Sequence, residues 1–160
     1  MDNLTQREIT CCFTGHRILP KQALPELTRK LEETLKALIR QDIRYFSAGG
    51  ALGFDTLAAL TVLRLREEFP QIRLILVLPC RNQTNGWREK DVQKYRWILS
   101  QADKAVWLNE EYTAGCTQER NRYLVDHSGT CVCFLTKKTG GTAYTVRYAK
   151  SRQSRIINLA

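Results

Sequence analysis

Residues 72–78 read Ile-Arg-Leu-Ile-Leu-Val-Leu, a nearly continuous aliphatic run that Pro79 closes. A strand of that composition has no polar face to turn toward water, so it belongs inside a parallel sheet covered on both sides by helices. The rest of the chain supplies the crossover units such a sheet needs. Ile9 to Phe13 is a strand candidate, and Leu24, Leu27, Leu31, Leu35, Leu38 and Ile39 recur every three or four residues as one helical face. Tyr45 to Ala48 reads as a second strand, followed by a glycine-rich loop and a helix to about Phe69, where Pro70 ends the segment. Beyond the central run, Trp87 to Gln101 reads as helix, Ala105 to Leu108 as strand, Gln118 to Val125 as a shorter helix and Cys131 to Leu135 as strand. A helix to about Ser151 and a last strand from Arg155 to Leu159 complete the pattern. Strands alternating with helices imply right-handed crossovers, and the expected fold class is α/β: a doubly wound, mostly parallel sheet of about six strands flanked by helices.

At 160 residues the chain is expected to form one domain, 1–160 with its core at about 9–159, because no linker rich in Pro, Gly or Ser divides it. An apolar fraction of 43% excludes general disorder. No run approaches the roughly 18 consecutive apolar residues of a membrane span, so no membrane partner is expected. The opening MDNLTQREIT carries acids and no apolar core before Ile9, which does not resemble a secretory signal; a cytoplasmic location is the expectation. Of six cysteines, Cys11, Cys12, Cys131 and Cys133 lie in apolar stretches, Cys80 and Cys116 stand alone, and no CxxC occurs. Buried reduced thiols are expected, and with only His16 and His127 as histidines no metal site is. The polar stretch 81–85 reads as a surface connection, with a mobile lid as the alternative.

The net charge of +9 is unevenly spread: residues 127–160 hold Lys137, Lys138, Arg147, Lys150, Arg152 and Arg155 and no acid. Such a surface concentrates anions, from small phosphates to nucleic acid, without choosing between them. The glycines are more selective. Gly15, Gly49, Gly50, Gly53, Gly140 and Gly141 fall in three loops that follow strand candidates and precede helices, where unpaired backbone N–H groups accept an anion. Neither a G-x-G-x-x-G fingerprint nor a Gly-Lys-Ser/Thr phosphate loop is present.

Around these loops, Thr14, His16 and Arg17 follow the first strand candidate. Arg17 suits a phosphate clamp or a local carboxylate, and His16 suits a ligand hydrogen bond, acid–base work or a loop-locking role. Asp55 either caps its helix or binds ribose, and Thr142 is placed both to cap and to donate to an anion. Arg120 and Asn121 are candidate phosphate or base contacts, and Glu119 is a candidate acid, although all three also suit a solvated helix face. Trp87 and Tyr112 stand beside loops as stacking surfaces for a base or as core groups.

Cys12-Phe13-Thr14-Gly15-His16-Arg17, Gly49-Gly50-Ala51-Leu52-Gly53-Phe54-Asp55, Glu119-Arg120-Asn121-Arg122-Tyr123 and Gly140-Gly141-Thr142-Ala143-Tyr144-Thr145 resemble, in order and spacing, the YpsA-like family of the SLOG superfamily. That superfamily has a Rossmann-like fold and includes DNA-processing A proteins and LOG-type phosphoribohydrolases. The resemblance implies a nucleotide or nucleotide-derived ligand, held by Gly15, His16 and Arg17, by Gly50, Gly53 and Asp55, and by Gly141 and Thr142. The hydrolases carry P-G-G-x-G-T-x-x-E, whereas here no proline precedes Gly140-Gly141-Thr142 and Thr145 stands where the acid belongs. A binding or sensor domain for a phosphate-containing small molecule is therefore the leading expectation, with no required cofactor. N-glycosidic hydrolysis through Glu119 and nucleic-acid association through the basic C-terminal third are the alternatives, and a homo-oligomer is left open.

Overall fold

A computed structural model describes residues 5–160. Six strands, β1 (Thr10–Gly15), β2 (Tyr45–Ala48), β3 (Arg73–Leu78), β4 (Lys104–Trp107), β5 (Thr130–Phe134) and β6 (Arg155–Asn158), form one sheet in the order β4-β3-β2-β1-β5-β6, with every neighbouring pair parallel. Five α-helices connect them: α1 (Leu24–Arg40), α2 (Phe54–Glu68), α3 (Glu89–Gln101), α4 (Cys116–Asp126) and α5 (Gly141–Ser151). The architecture is the Rossmann-like α/β fold that the strand and helix alternation implies.

Each helix face follows from sequence spacing. In α1, Leu27, Leu31, Leu35, Leu38 and Ile39 are buried, while Arg29 on the outer face pairs with Glu26 and Glu33. Alternation along the strands sorts the core into two layers. Cys11, Phe13, Phe46, Leu74, Leu76, Leu78 and Val132 pack with α1, α2 and α3 on one side. Cys12, Val77, Cys131 and Cys133 meet Leu124, Val125, Val146 and Ala149 of α4 and α5 on the other. All six cysteines are buried and free. Among the described residues, no helix is long and apolar enough to cross a membrane.

Two boundaries differ from the sequence reading in a way that matters. The first strand runs on to Gly15 because Thr14 and Gly15 pair with Cys133 and Phe134 of β5, so these two residues end a strand instead of beginning a loop. The shorter fourth helix begins at Cys116, which brings Thr117 into its first turn. The 79–86 connection is anchored: Asn109 donates to the Pro79 carbonyl (3.0 Å), Gln83 to that of Gly50 (3.3 Å), and the Tyr112 amide to Asn82 Oδ1 (3.0 Å).

Candidate functional site

The chain leaves β1 toward β2 on one side and later returns to β5 on the other, so strand order reverses between β1 and β5. At such a reversal the following loops part and leave a crevice beyond the carboxyl ends of the strands. A cavity of about 320 Å³ lies there. The end of β1 and its loop contribute Thr14, Gly15, His16 and Arg17; the β2–α2 loop contributes Ala51 and the first turn of α2 contributes Asp55. The start of α4 contributes Thr117, Arg120 and Asn121, the β5–α5 turn contributes Lys137, Thr139 and Gly140, and the start of α5 contributes Gly141 and Thr142.

The N-termini of α2, α4 and α5 all supply residues to this cavity, and none of the three has a side-chain cap. The first N–H of α2 and of α4 is taken by a loop carbonyl, that of His16 and of Thr113, and the later first-turn N–H groups and the positive dipole ends of the three helices lie beside this space. Gly53 holds the first two loops together. Its φ of 77° suits glycine, Phe54 N–H donates to the His16 carbonyl (3.1 Å), and a Cβ at Gly53 would stand 2.3 Å from the Arg17 carbonyl oxygen.

Arg120 lies at the centre and is only 2% exposed. Its Nη1 donates to the Gly49 carbonyl and its Nε to Asn121 Oδ1 (2.9 Å), while Nη2 has no hydrogen-bond partner among the described residues. Burial pulls its pKa down and Asp55 opposes that; an arginine in this setting stays a cation. A side chain at Gly49 would collide with this guanidinium, whose Nη1 is 2.6 Å from the position a Cβ would take. Asp55 is buried as well, and Oδ2 accepts from the Ala51 amide (3.3 Å). Burial raises its pKa, and Arg120, the Ala51 amide and Arg17 each pull the other way.

His16 is fixed by the Thr136 amide, which donates to Nε2 (3.0 Å), so the ring proton belongs on Nδ1. Burial and then the charge of Lys137 lower its pKa, and the neutral ring is favoured. Arg17 is exposed and makes no ion pair among the described residues.

A second cavity of about 290 Å³ adjoins the first and shares Arg17 and Thr117 with it. Trp87 and Tyr112 line it, as do Asn82, Gln83 and Asn85 of the anchored connection.

Thr14, Gly15, His16, Arg17, Asp55, Arg120, Asn121, Gly140, Gly141 and Thr142 are thus brought into one cavity, and Trp87 and Tyr112 into its neighbour. Gly49, Gly50 and Gly53 lie behind these walls, where Gly49 and Gly50 accept hydrogen bonds from Arg120 and Gln83. Glu119 points elsewhere: its Oε1 accepts from Asn109 Nδ2 (2.9 Å). Thr117, Thr139 and the second-cavity amides carried no signal in the sequence beyond their positions in loops or at a helix start.

A sequence model described as the YspA SLOG family, YpsA, matches residues 20–158. The chain belongs to the YpsA family of SLOG proteins. This YpsA-family chain is 32% identical over 130 residues to a UPF0398 protein of Halalkalibacterium halodurans, covering 79% of this chain and 69% of that protein. It is also 30% identical over 138 residues to the uncharacterized SPbeta prophage-derived protein YoqJ of Bacillus subtilis, covering 78% of this chain and 81% of that one. The fold resembles that of DNA processing protein A from Helicobacter pylori, a protein with a single-stranded DNA binding mode. The TM-score is 0.69 at 18% identity, over 93% of this chain and 64% of that one, so this YpsA-family chain spans less than two thirds of that structure.

Proposed function

We propose that this chain is a binding or sensor domain for a nucleotide or nucleotide-derived ligand whose phosphate occupies the switch-point cavity. The observation that carries this reading is Arg120, a buried guanidinium that lines the cavity with Nη2 uncommitted. It shares that cavity with residues from the starts of α2 and α5 and lies in α4, three helices without a side-chain cap. Burial works against this cation and Asp55 offsets that only in part, so a phosphate would complete the compensation together with the amides of Gly141 and Thr142 and the Thr142 hydroxyl. Arg17, exposed at the mouth, neutralises the remaining charge, and Asp55 orients ribose.

Binding is favoured over hydrolysis because the acids at hand are committed. Glu119 is bonded to Asn109 outside the cavity. Thr145, at the position of the hydrolases' glutamate, turns its hydroxyl back to the Gly141 carbonyl (2.9 Å). Asp55 is the one acid lining the cavity among the described residues, and its carboxylate is held by the Ala51 amide. Association with nucleic acid is a second reading, supported by exposed Lys137, Lys138 and Arg147 beside the cavity and by the fold shared with DNA processing protein A.

Calorimetric titration of the purified chain with nucleoside 5′-monophosphates tests the proposal. Saturable one-to-one binding, displaced by inorganic phosphate and weakened by Thr142→Val, is expected. Folded protein that binds no phosphate ester saturably refutes it.

A further inference from the structure

The second cavity differs in chemistry from the first. Its walls carry aromatic rings and side-chain amides, and among the described residues its one charged side chain is Arg17, which it shares with the first cavity. We infer that it is a base-reading subsite, so that the ligand class is a nucleoside 5′-phosphate whose base carries a hydrogen-bond acceptor on its exposed edge. This inference rests on the phosphate reading above and extends it to the other end of the ligand.

The Trp87 ring and the Asn82 and Gln83 amides are held in place. Trp87 meets Tyr95 edge to face, with centroids 5.7 Å apart and planes at 86°. The Tyr112 backbone amide donates to Asn82 Oδ1 (3.0 Å), which fixes the Asn82 amide by its carbonyl and leaves its NH2 as the group offered to a ligand. Gln83 is spent on structure, since its Nε2 donates to the Gly50 carbonyl (3.3 Å). The subsite therefore offers π-faces and a donor, which suits a neutral planar ring with an acceptor edge. A sugar phosphate alone would leave these groups unused. Tyr112 is 66% exposed, a larger fraction than the exposed rings of Trp97 and Tyr144, and stacking on a base would cover it. Arg17 and Thr117, common to both cavities, mark where the ribose and phosphate would pass from one to the other.

The test compares ribose 5-phosphate with AMP, GMP, CMP and UMP by calorimetry, on the native chain and on Tyr112→Ala and Asn82→Asp. At least one nucleotide is expected to bind about tenfold more tightly than ribose 5-phosphate. Tyr112→Ala should erase that margin while leaving ribose 5-phosphate affinity unchanged, and Asn82→Asp should change the rank order of the four nucleotides. Because Tyr112 is largely exposed, its variant decides the matter even where Asn82→Asp loosens the loop. Equal affinities for ribose 5-phosphate and all four nucleotides, or an equal loss of both ligand types in Tyr112→Ala, overturns the base subsite and leaves the phosphate site standing. Failure of every phosphate compound to bind overturns both.

Discussion

Arg17 and Lys150 carry the same charge in different settings. Arg17 lines both cavities, whereas Lys150 stands in the last turn of α5. Arg17→Ala should weaken nucleotide binding about tenfold or more, the loss of a charge-assisted hydrogen bond, and Lys150→Ala should change it little; equal losses in calorimetry would mean diffuse attraction. Asp55 makes a prediction about pH. Its folded pKa is raised by burial, so the folded state holds its proton more tightly than the unfolded one. The contribution of Asp55 to stability is then greatest below the ordinary carboxylate range and falls as pH rises through the higher folded value. Asp55→Asn should remove that decline, so melting temperatures of variant and native chain should diverge in the variant's favour as pH rises above the carboxylate range. A constant difference across pH would refute the assignment. At this scale the sequence was only partly legible: it placed Glu119 and Arg120 side by side. Successive helical residues project about 100° apart, and the packing of α4 on the sheet decided which of the two would be buried.

At the scale of elements, legibility followed periodicity. The α1 face was readable because one amphipathic repeat determines which residues are buried. The end of β1 was not, because Thr14 and Gly15 become strand by pairing with β5, more than a hundred residues away. Leu35 is fully buried in the core, and Leu35→Ala should cost about 2–5 kcal/mol in chemical denaturation. Gly53→Ala tests the join between two loops. Its positive φ and the backbone oxygen 2.3 Å from a new Cβ predict a loss of about 1–3 kcal/mol, together with weakened ligand binding from displacement of Arg17. Unchanged stability in urea melts would mean that the loops adjust freely.

For the whole molecule, the strands could be counted in advance but their order could not, and order is what creates the crevice between β1 and β5. The candidate site draws on residues from Thr14 to Thr142 and therefore exists only once the chain has folded through the start of α5. Little or no free base should appear by chromatography when nucleoside monophosphates are incubated with the protein under binding conditions. Multiple turnover abolished by Glu119→Gln in folded protein would establish the hydrolase alternative instead. Any binding of single-stranded DNA should weaken steeply with added salt if it rests on the basic surface.

The six buried thiols give the molecule an internal clock. Cys11, Cys12, Cys131 and Cys133 sit in central strands, and Cys80 and Cys116 sit beside the two cavities. A thiol reagent can reach any of them only when the surrounding structure opens, so each labelling rate counts openings of one region. The strand cysteines time the unfolding of the sheet, and the other pair times local opening of the loops. A bound ligand would slow the second timer before it slowed the first.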